Sequence, residues 1–133
     1  MKFKVTIFLV LSALVMMLAG CGSVTEAPEE VIVQSIAPEE ALQRIESGED
    51  IILLDVRTPG EYAEGHIADS LLIPLQTLEE EAPRHLTDKN VPIFVYCRSG
   101  RRSLEAAEIL VELGYTQVYD MGGIIDWPYD IEK

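Results

Sequence analysis

Short apolar runs alternate with polar segments from residue 31 to the end of the chain. The runs at 51–56 and 91–96 are apolar almost throughout, which is typical of strands covered on both faces in a parallel sheet. A proline near the start of the later run is tolerated at the beginning of a strand. The pattern predicts five strands, at residues 31–33, 51–56, 71–73, 91–96 and 117–121.

Two of the intervening segments have helical character. Residues 37–45 carry a proline and acidic residues in their first turn, and Gly48 follows as a stop signal. Across residues 103–113 the apolar positions crowd towards one side of a helix, glutamates mark the other side, and Gly114 ends the pattern. Because strands and helices alternate, we predict an open α/β fold with helices on both faces of the sheet.

The first twenty residues have the layout of a secretory signal. Two lysines precede an apolar run over residues 5–19, which is short for a transmembrane helix of ~20 apolar residues. The run leads into Leu-Ala-Gly-Cys at residues 18–21, which resembles the cleavage site of bacterial lipoproteins. That resemblance implies that residues 1–20 are a cleaved signal peptide and that Cys21 carries a fatty-acid anchor of the palmitate kind.

A tether is predicted between the lipid and the folded body. Residues 22–30 are polar, small and acidic and show no periodicity, so 21–30 would link the anchor to a domain over 31–133. The expected location is the cell envelope, outside the cytoplasm, on a bacterial membrane reached through the lipid on Cys21. An ordinary signal peptide, or an uncleaved anchor with an incidental Cys21, is the alternative.

Composition removes several functional classes. The 133 residues include 10 basic and 23 acidic side chains, for a net charge of −13. A polyanion would be repelled by so acidic a protein, and nucleic acid is therefore not an expected partner. Two cysteines cannot build a disulfide scaffold or a thiolate zinc site.

Candidate chemistry lies where the fourth predicted strand ends. Open α/β sheets bind ligands beyond the carboxyl ends of their strands, and Cys97 stands at such an end. The segment 97–103 contains a glycine and runs into a helix, so its backbone N–H groups can converge near the helix N-terminus. Converging donors and nearby guanidinium groups favour a thiolate, which makes Cys97 a candidate nucleophile.

Three arginines, Arg98, Arg101 and Arg102, concentrate positive charge in this segment of an otherwise acidic chain. Such a focus attracts a small anion. The alternative interpretation is an inert, buried cysteine followed by arginines that pair with Glu105 and Glu108 at a solvated helix start.

The sequence resembles the single-domain rhodanese family over roughly residues 33–128. The resemblance rests on five ordered motifs, which are Asp55-Val56-Arg57 with Glu61-Tyr62, Gly65-His66-Ile67, Ile73-Pro74, the loop Cys97 to Ser103, and Gly122-Gly123 with Trp127. One departure is Ala68-Asp69-Ser70, where members usually carry Pro-Gly-Ala or a similar small turn. The resemblance implies an open, mainly parallel five-stranded sheet and a persulfide on Cys97.

The resemblance also implies an activity, that of a thiosulfate sulfurtransferase. Cys97 would take a sulfane sulfur from thiosulfate or a similar small anionic donor and pass it to cyanide, a small thiol or a protein cysteine. This implied chemistry calls for neither a metal nor an organic cofactor. The loop residues expected to bind the donor are Arg98, Ser99, Gly100, Arg101, Arg102 and Ser103. Cysteine phosphatases, by contrast, need an arginine six residues after the cysteine. Serine occupies that position here, so phosphatase activity is not expected.

Other motif residues are expected to support the fold. Arg57 would pair with Asp55 or Glu61 and so hold the loop, with direct substrate contact as the alternative. His66 is expected to fix a turn, His85 to be exposed, and Trp127 to pack the closing segment. Two further functions stay open, a sulfane-sulfur carrier that does not turn over small molecules and an anchored module that binds an anion or a protein.

Overall fold

A five-stranded parallel sheet in the order β1-β5-β4-β2-β3 organises the chain. The computed structural model describes Gly22 and residues 30–133. The strands are β1 (Gln34–Ser35), β2 (Ile52–Asp55), β3 (Leu71–Leu72), β4 (Ile93–Cys97) and β5 (Val118–Gly123). The α-helices are α1 (Pro38–Glu46), α2 (Pro59–Glu64), α3 (Leu78–His85) and α4 (Arg101–Glu112). This confirms the predicted sheet.

Helices cover both faces of the sheet, as predicted. All five residues of β4 are buried, and alternate side chains enter two separate cores. Phe94 and Tyr96 pack with α1, whereas Val95 and Cys97 pack with α3 and α4. The cysteine is therefore anchored in the larger core and stands at the carboxyl end of the central strand.

The edges of the sheet depart from the predicted elements. The first strand is Gln34–Ser35 rather than 31–33, because the backbone finds its β5 partners, Tyr119 and Asp120, only from Gln34 onward. Ile32, which the pattern placed in that strand, is exposed. The other four strands begin or end within two residues of their predicted positions.

Two helices were absent from the predictions, and a third begins earlier than predicted. α2 has only six residues, which is too short for a periodic pattern, and α3 contains Pro83, a residue that argues against a helix interior. α4 starts at Arg101 instead of residue 103, which places two arginines inside its first turn.

The unusual Ala68-Asp69-Ser70 segment forms a tight turn. Asp69 adopts a left-handed conformation with φ of 61°, which a short polar side chain tolerates better than most. The Ser70 amide then donates to the Ile67 carbonyl at 3.2 Å. The departure from the family pattern is thus accommodated locally.

The described part of the chain contains no helix that is both long and apolar enough to cross a membrane. The predicted signal peptide and the lipidation of Cys21 lie outside the described residues. They stay predictions.

Candidate active site

The loop after β4 is held against β5 by close backbone contact. Gly100 bends the loop with φ of 103°, a conformation that favours glycine. Gly123 lies directly under the loop, where a β-carbon would overlap the Arg98 carbonyl oxygen and lie 2.7 Å from the Ser99 α-carbon. The Ile125 amide also donates to the Arg98 carbonyl at 3.2 Å. The two glycine motifs therefore define the position of the loop.

The Cys97 sulfur lies inside this loop. The residue is 1% exposed, and the Gly100 amide donates to Sγ at 3.0 Å. Burial by itself raises the pKa of the Cys97 thiol, but hydrogen bonds from the Ser103 hydroxyl and the backbone amides of Ser103, Gly100 and Ser99 outweigh it and lower the pKa. The loop is thus a cradle of donors that stabilises a thiolate.

Arg102 brings positive charge to the cradle and is fixed by Glu61. Its guanidinium donates to both Glu61 carboxylate oxygens, at 2.7 and 2.8 Å. Glu61 chiefly, and the negative charge of the Cys97 thiolate to a smaller extent, raise the pKa of Arg102. No sequence pattern indicates this pair, because its members are 41 positions apart on α2 and α4.

The same carboxylate caps helix α2. Glu61 accepts hydrogen bonds from the amide and hydroxyl of Thr58, both at 3.0 Å, and its own amide donates to the Thr58 hydroxyl. Arg102, followed by the Thr58 contacts, lowers the pKa of Glu61 to about 2. Glu61 therefore joins the Asp-x-Arg region to the cysteine loop.

Replacing Glu61 by glutamine should weaken the fold in a pH-dependent way. The folded-state pKa of Glu61 lies below its ordinary value, so the ion pair contributes stability above the unfolded-state pKa of ~4.3 and loses it as the pH falls towards about 2. The stability difference between wild type and Glu61→Gln, measured by urea unfolding, should be larger at about pH 7 than at about pH 3. A difference that does not change with pH would contradict the assignment; Glu105→Gln serves as an exposed control.

The other two loop arginines have different surroundings. The Arg101 side chain is 82% exposed and lies 3.9 Å from the Glu105 carboxylate. The alternative interpretation of the arginines predicted this pair. Arg98 lines an open cavity of about 360 Å³ next to the loop. The remaining lining residues are Arg57, Glu61, Glu64, Gly65, Ile124, Ile125 and Ile131.

Arg57 pairs with Asp55 and not with Glu61. Its guanidinium donates to both Asp55 carboxylate oxygens, with a shortest distance of 2.6 Å, and to the Gly65 carbonyl at 2.7 Å. Both side chains are buried, at 6% and 0% exposure. The pair ties β2 to the Gly-His-Ile turn. That Arg57 holds the cysteine loop stays a prediction.

The remaining motif residues also have structural contacts. His66 donates from Nδ1 to the Tyr62 carbonyl at 2.9 Å, stacks on the Tyr62 ring and pairs through its backbone with Glu132, which confirms its turn-fixing role. His85 is exposed at the end of α3, and Trp127 packs against the α1 core, both as predicted.

One residue at the site was missed by the sequence analysis. Asp120 on β5 accepts a 2.6 Å hydrogen bond from the Ser103 hydroxyl, so its carboxylate lies one side chain away from the sulfur cradle. Its partner Ser103 lies 17 positions away on α4, so an acidic residue in a predicted strand does not by itself indicate this contact.

Comparison with known proteins agrees with this arrangement. Residues 37–128 match the Rhodanese-like domain family. The chain is 40% identical over 97 residues to "Sulfurtransferase" of Allochromatium vinosum, covering 72% of this chain and 89% of that protein. It is 42% identical over 73 residues to "Thiosulfate sulfurtransferase PspE" of Escherichia coli, covering 55% and 70% of the two chains.

A solved structure shows the same fold. "Rhodanese with anions from E. coli" superposes with a TM-score of 0.59 at 38% identity and covers 62% of this chain and 98% of its own. The parallel sheet, the cysteine loop and these relatives lead to one assignment. The chain belongs to the rhodanese family, contains a single rhodanese-like domain and has sulfurtransferases among its homologues.

Proposed function

We propose that this protein is a thiosulfate sulfurtransferase that works through a persulfide on Cys97. The observation that carries the proposal is the buried Cys97 sulfur, which receives the Gly100 amide hydrogen bond inside a loop of further donors. This environment stabilises a thiolate before any substrate arrives. The thiosulfate sulfurtransferases among its relatives support the choice of chemistry.

The reaction has two displacements at sulfur. The Cys97 thiolate attacks the sulfane sulfur of thiosulfate, a new S–S bond forms, and sulfite leaves with the electron pair of the bond that breaks. The backbone amides of residues 99, 100 and 103 then stabilise the negative charge of the persulfide. Cyanide or a thiolate attacks the outer sulfur, and the Cys97 thiolate is the leaving group that closes the cycle.

The arginines are proposed to serve the donor in different ways. Arg102, held in place by Glu61, supplies a fixed positive charge near the sulfur. Arg98 faces the open cavity beside the loop, where an anionic donor would enter. Both charges offset the repulsion that a protein with a net charge of −13 exerts on a dianion.

Intact mass spectrometry tests the proposal directly. In the full chain carrying Cys21→Ser, Cys97 is the single cysteine, so any sulfur added by thiosulfate can be assigned to it. The reduced protein should gain one sulfur atom and lose it again on addition of cyanide, with thiocyanate as the product. No gain by the reduced, folded protein would overturn thiosulfate as the donor and favour either a carrier that a partner protein loads or the anchored binding module.

The same preparation distinguishes catalyst from carrier. An enzyme forms thiocyanate over many cycles when thiosulfate and cyanide are both in excess, whereas a carrier releases one equivalent and reloads slowly. Multiple turnover is the expected result. A single burst followed by slow reloading would instead assign the carrier role.

We further propose that the domain works outside the cytoplasm as a lipid-anchored protein. The Leu-Ala-Gly-Cys segment at residues 18–21 supports this location. The protein expressed in a bacterial host should partition into detergent in a Cys21-dependent manner. Equal partition of wild type and Cys21→Ser into the aqueous phase would contradict the anchor.

A further inference from the structure

A second cavity, of about 510 Å³, lies apart from the one that Arg98 lines, and the two share no lining residue. It is bounded by the end of α1, the turn at residues 67–69 and the closing segment 127–130. Its volume falls in the range of cavities that hold small organic ligands. The larger apolar side chains of its lining are Leu42, Ile45, Ile67, Trp127 and Tyr129. The proposed chemistry of Cys97 makes no use of this cavity.

Two aromatic residues take part in the lining. The rings of Trp127 and Tyr129 meet edge to face, with their centroids 5.0 Å apart and their planes at 77°. Tyr129 is 37% exposed, so this residue is accessible to a ligand. The faces of aromatic rings carry negative partial charge and attract a cation placed over them. The aromatic lining therefore suits a cation as well as an apolar group.

Three carboxylates also line the cavity. They belong to Glu46 at the end of α1, to Asp69 in the turn and to Asp130 in the closing segment. Among the described residues that line the cavity there is no lysine or arginine. Within residues 30–133, none of the three carboxylates takes part in an ion pair. Their negative charge is thus uncompensated and complements a positively charged ligand.

Asp69 lies where the chain departs from the rhodanese pattern. It is the middle residue of Ala68-Asp69-Ser70, at which members of the family usually carry the glycine of Pro-Gly-Ala. Its φ of 61° is a left-handed conformation that glycine adopts more readily than aspartate. The turn itself therefore gives no reason for a carboxylate at this position. A ligand that the carboxylate attracts into the cavity supplies one.

We propose that this cavity binds a small organic cation, a protonated amine on an apolar body. The apolar side chains receive the body of the ligand, and the carboxylates and aromatic rings attract its ammonium group. A neutral molecule of the same shape lacks the second contribution, and an anionic one is repelled. The cavity therefore selects its ligand by charge. The proposal does not depend on sulfur transfer by Cys97.

Trp127 is the single tryptophan of the chain, so its fluorescence reports on this cavity. Cyclohexylmethylamine, cyclohexylmethanol and cyclohexanecarboxylate have similar shapes, and near neutral pH they are cationic, neutral and anionic. They would be titrated into the full chain carrying Cys21→Ser. The amine should change the fluorescence in a saturable way and bind about tenfold more tightly than the alcohol, the combined effect of ion pairing and a cation–π contact. The carboxylate should bind more weakly than the alcohol. The NMR shift of the Trp127 indole N–H is a second measurement of binding.

Variants of the lining test the role of charge. Asp69→Asn removes the charge, and asparagine tolerates the same left-handed backbone. It should weaken binding of the amine about threefold and leave binding of the alcohol unchanged. Asp130→Asn should behave in the same way, and the double variant should lose most of the preference for the amine. Asp126→Asn, an exposed aspartate outside the lining, is the matched control and should bind the amine as the parent does.

Three results would overturn the proposal. The first is equal binding of the amine and the alcohol, which would mean that the cavity recognises apolar groups only. The second is the absence of saturable amine binding by both fluorescence and NMR. The third is an equal loss of amine binding in Asp126→Asn and Asp69→Asn, which would mean that the amine responds only to the net negative charge of the protein.

Discussion

Replacing Cys97 by serine is expected to abolish sulfur transfer and to leave the fold intact. A hydroxyl in the cradle stays protonated near neutral pH and cannot form a persulfide. Removal of a nucleophile that acts with its surroundings costs at least ~10³-fold in turnover. The serine oxygen can still accept the hydrogen bond that the Gly100 amide now gives to the sulfur, which limits the loss of stability.

Thiocyanate formation from thiosulfate and cyanide measures the first effect, and thermal unfolding measures the second. Cys21→Ser, which removes the other cysteine of the chain, is the control and should retain full turnover per folded molecule. Persistence of thiocyanate formation in Cys97→Ser would mean that another group accepts the sulfur.

Arg57→Ala is expected to produce the largest loss of stability among the site variants. Asp55 is fully buried, and the variant would leave its carboxylate without the guanidinium that now donates to both oxygens. Breaking a buried ion pair by removing one partner costs about 3–5 kcal/mol, because an uncompensated charge remains. The Gly65 carbonyl would lose its donor as well.

Urea unfolding of Arg57→Ala and of the double variant with Asp55→Asn tests this explanation. The double variant removes the stranded charge, so it should be more stable than Arg57→Ala alone, and the two substitutions should be strongly non-additive. If the double variant instead loses as much stability as the two single variants lose together, the pair does not act as a unit. Arg84→Ala, whose partner Glu80 is exposed, should cost little in comparison.

The sequence predicted the centre of the molecule better than its periphery. β2 and β4 are continuous apolar runs because they are buried on both faces, and that requirement is visible in the sequence. β1 has only two residues and exposed side chains, so its position depends on β5 and not on its own composition. The two helices that the sequence did not predict lack the usual signals of a long helix. α2 is short and is stabilised by a capping box and a proline start, and α3 contains a proline in its interior.

The candidate site likewise has a part that the sequence predicted and a part that it did not. Cys97 and the glycine-containing loop were predicted from the end of a strand and from the resemblance to a family. The partners of that loop were not, since Glu61 reaches Arg102 from a different helix and Asp120 reaches Ser103 from a different strand. Such contacts depend on the three-dimensional arrangement of the elements, and a pattern along the chain has no means of expressing them.

The cradle around Cys97 is built largely from peptide N–H groups, and this affects how the protein can evolve. Donors that belong to the main chain are retained when side chains change, provided that the backbone keeps its path. Gly100 and Gly123 maintain that path, while Arg101 points into solvent and Arg98 faces an open cavity. Under the proposed function, mutations at the outward-facing positions would alter which donor or acceptor is favoured while the reactivity of the thiol is preserved, so that specificity and reactivity could diverge separately.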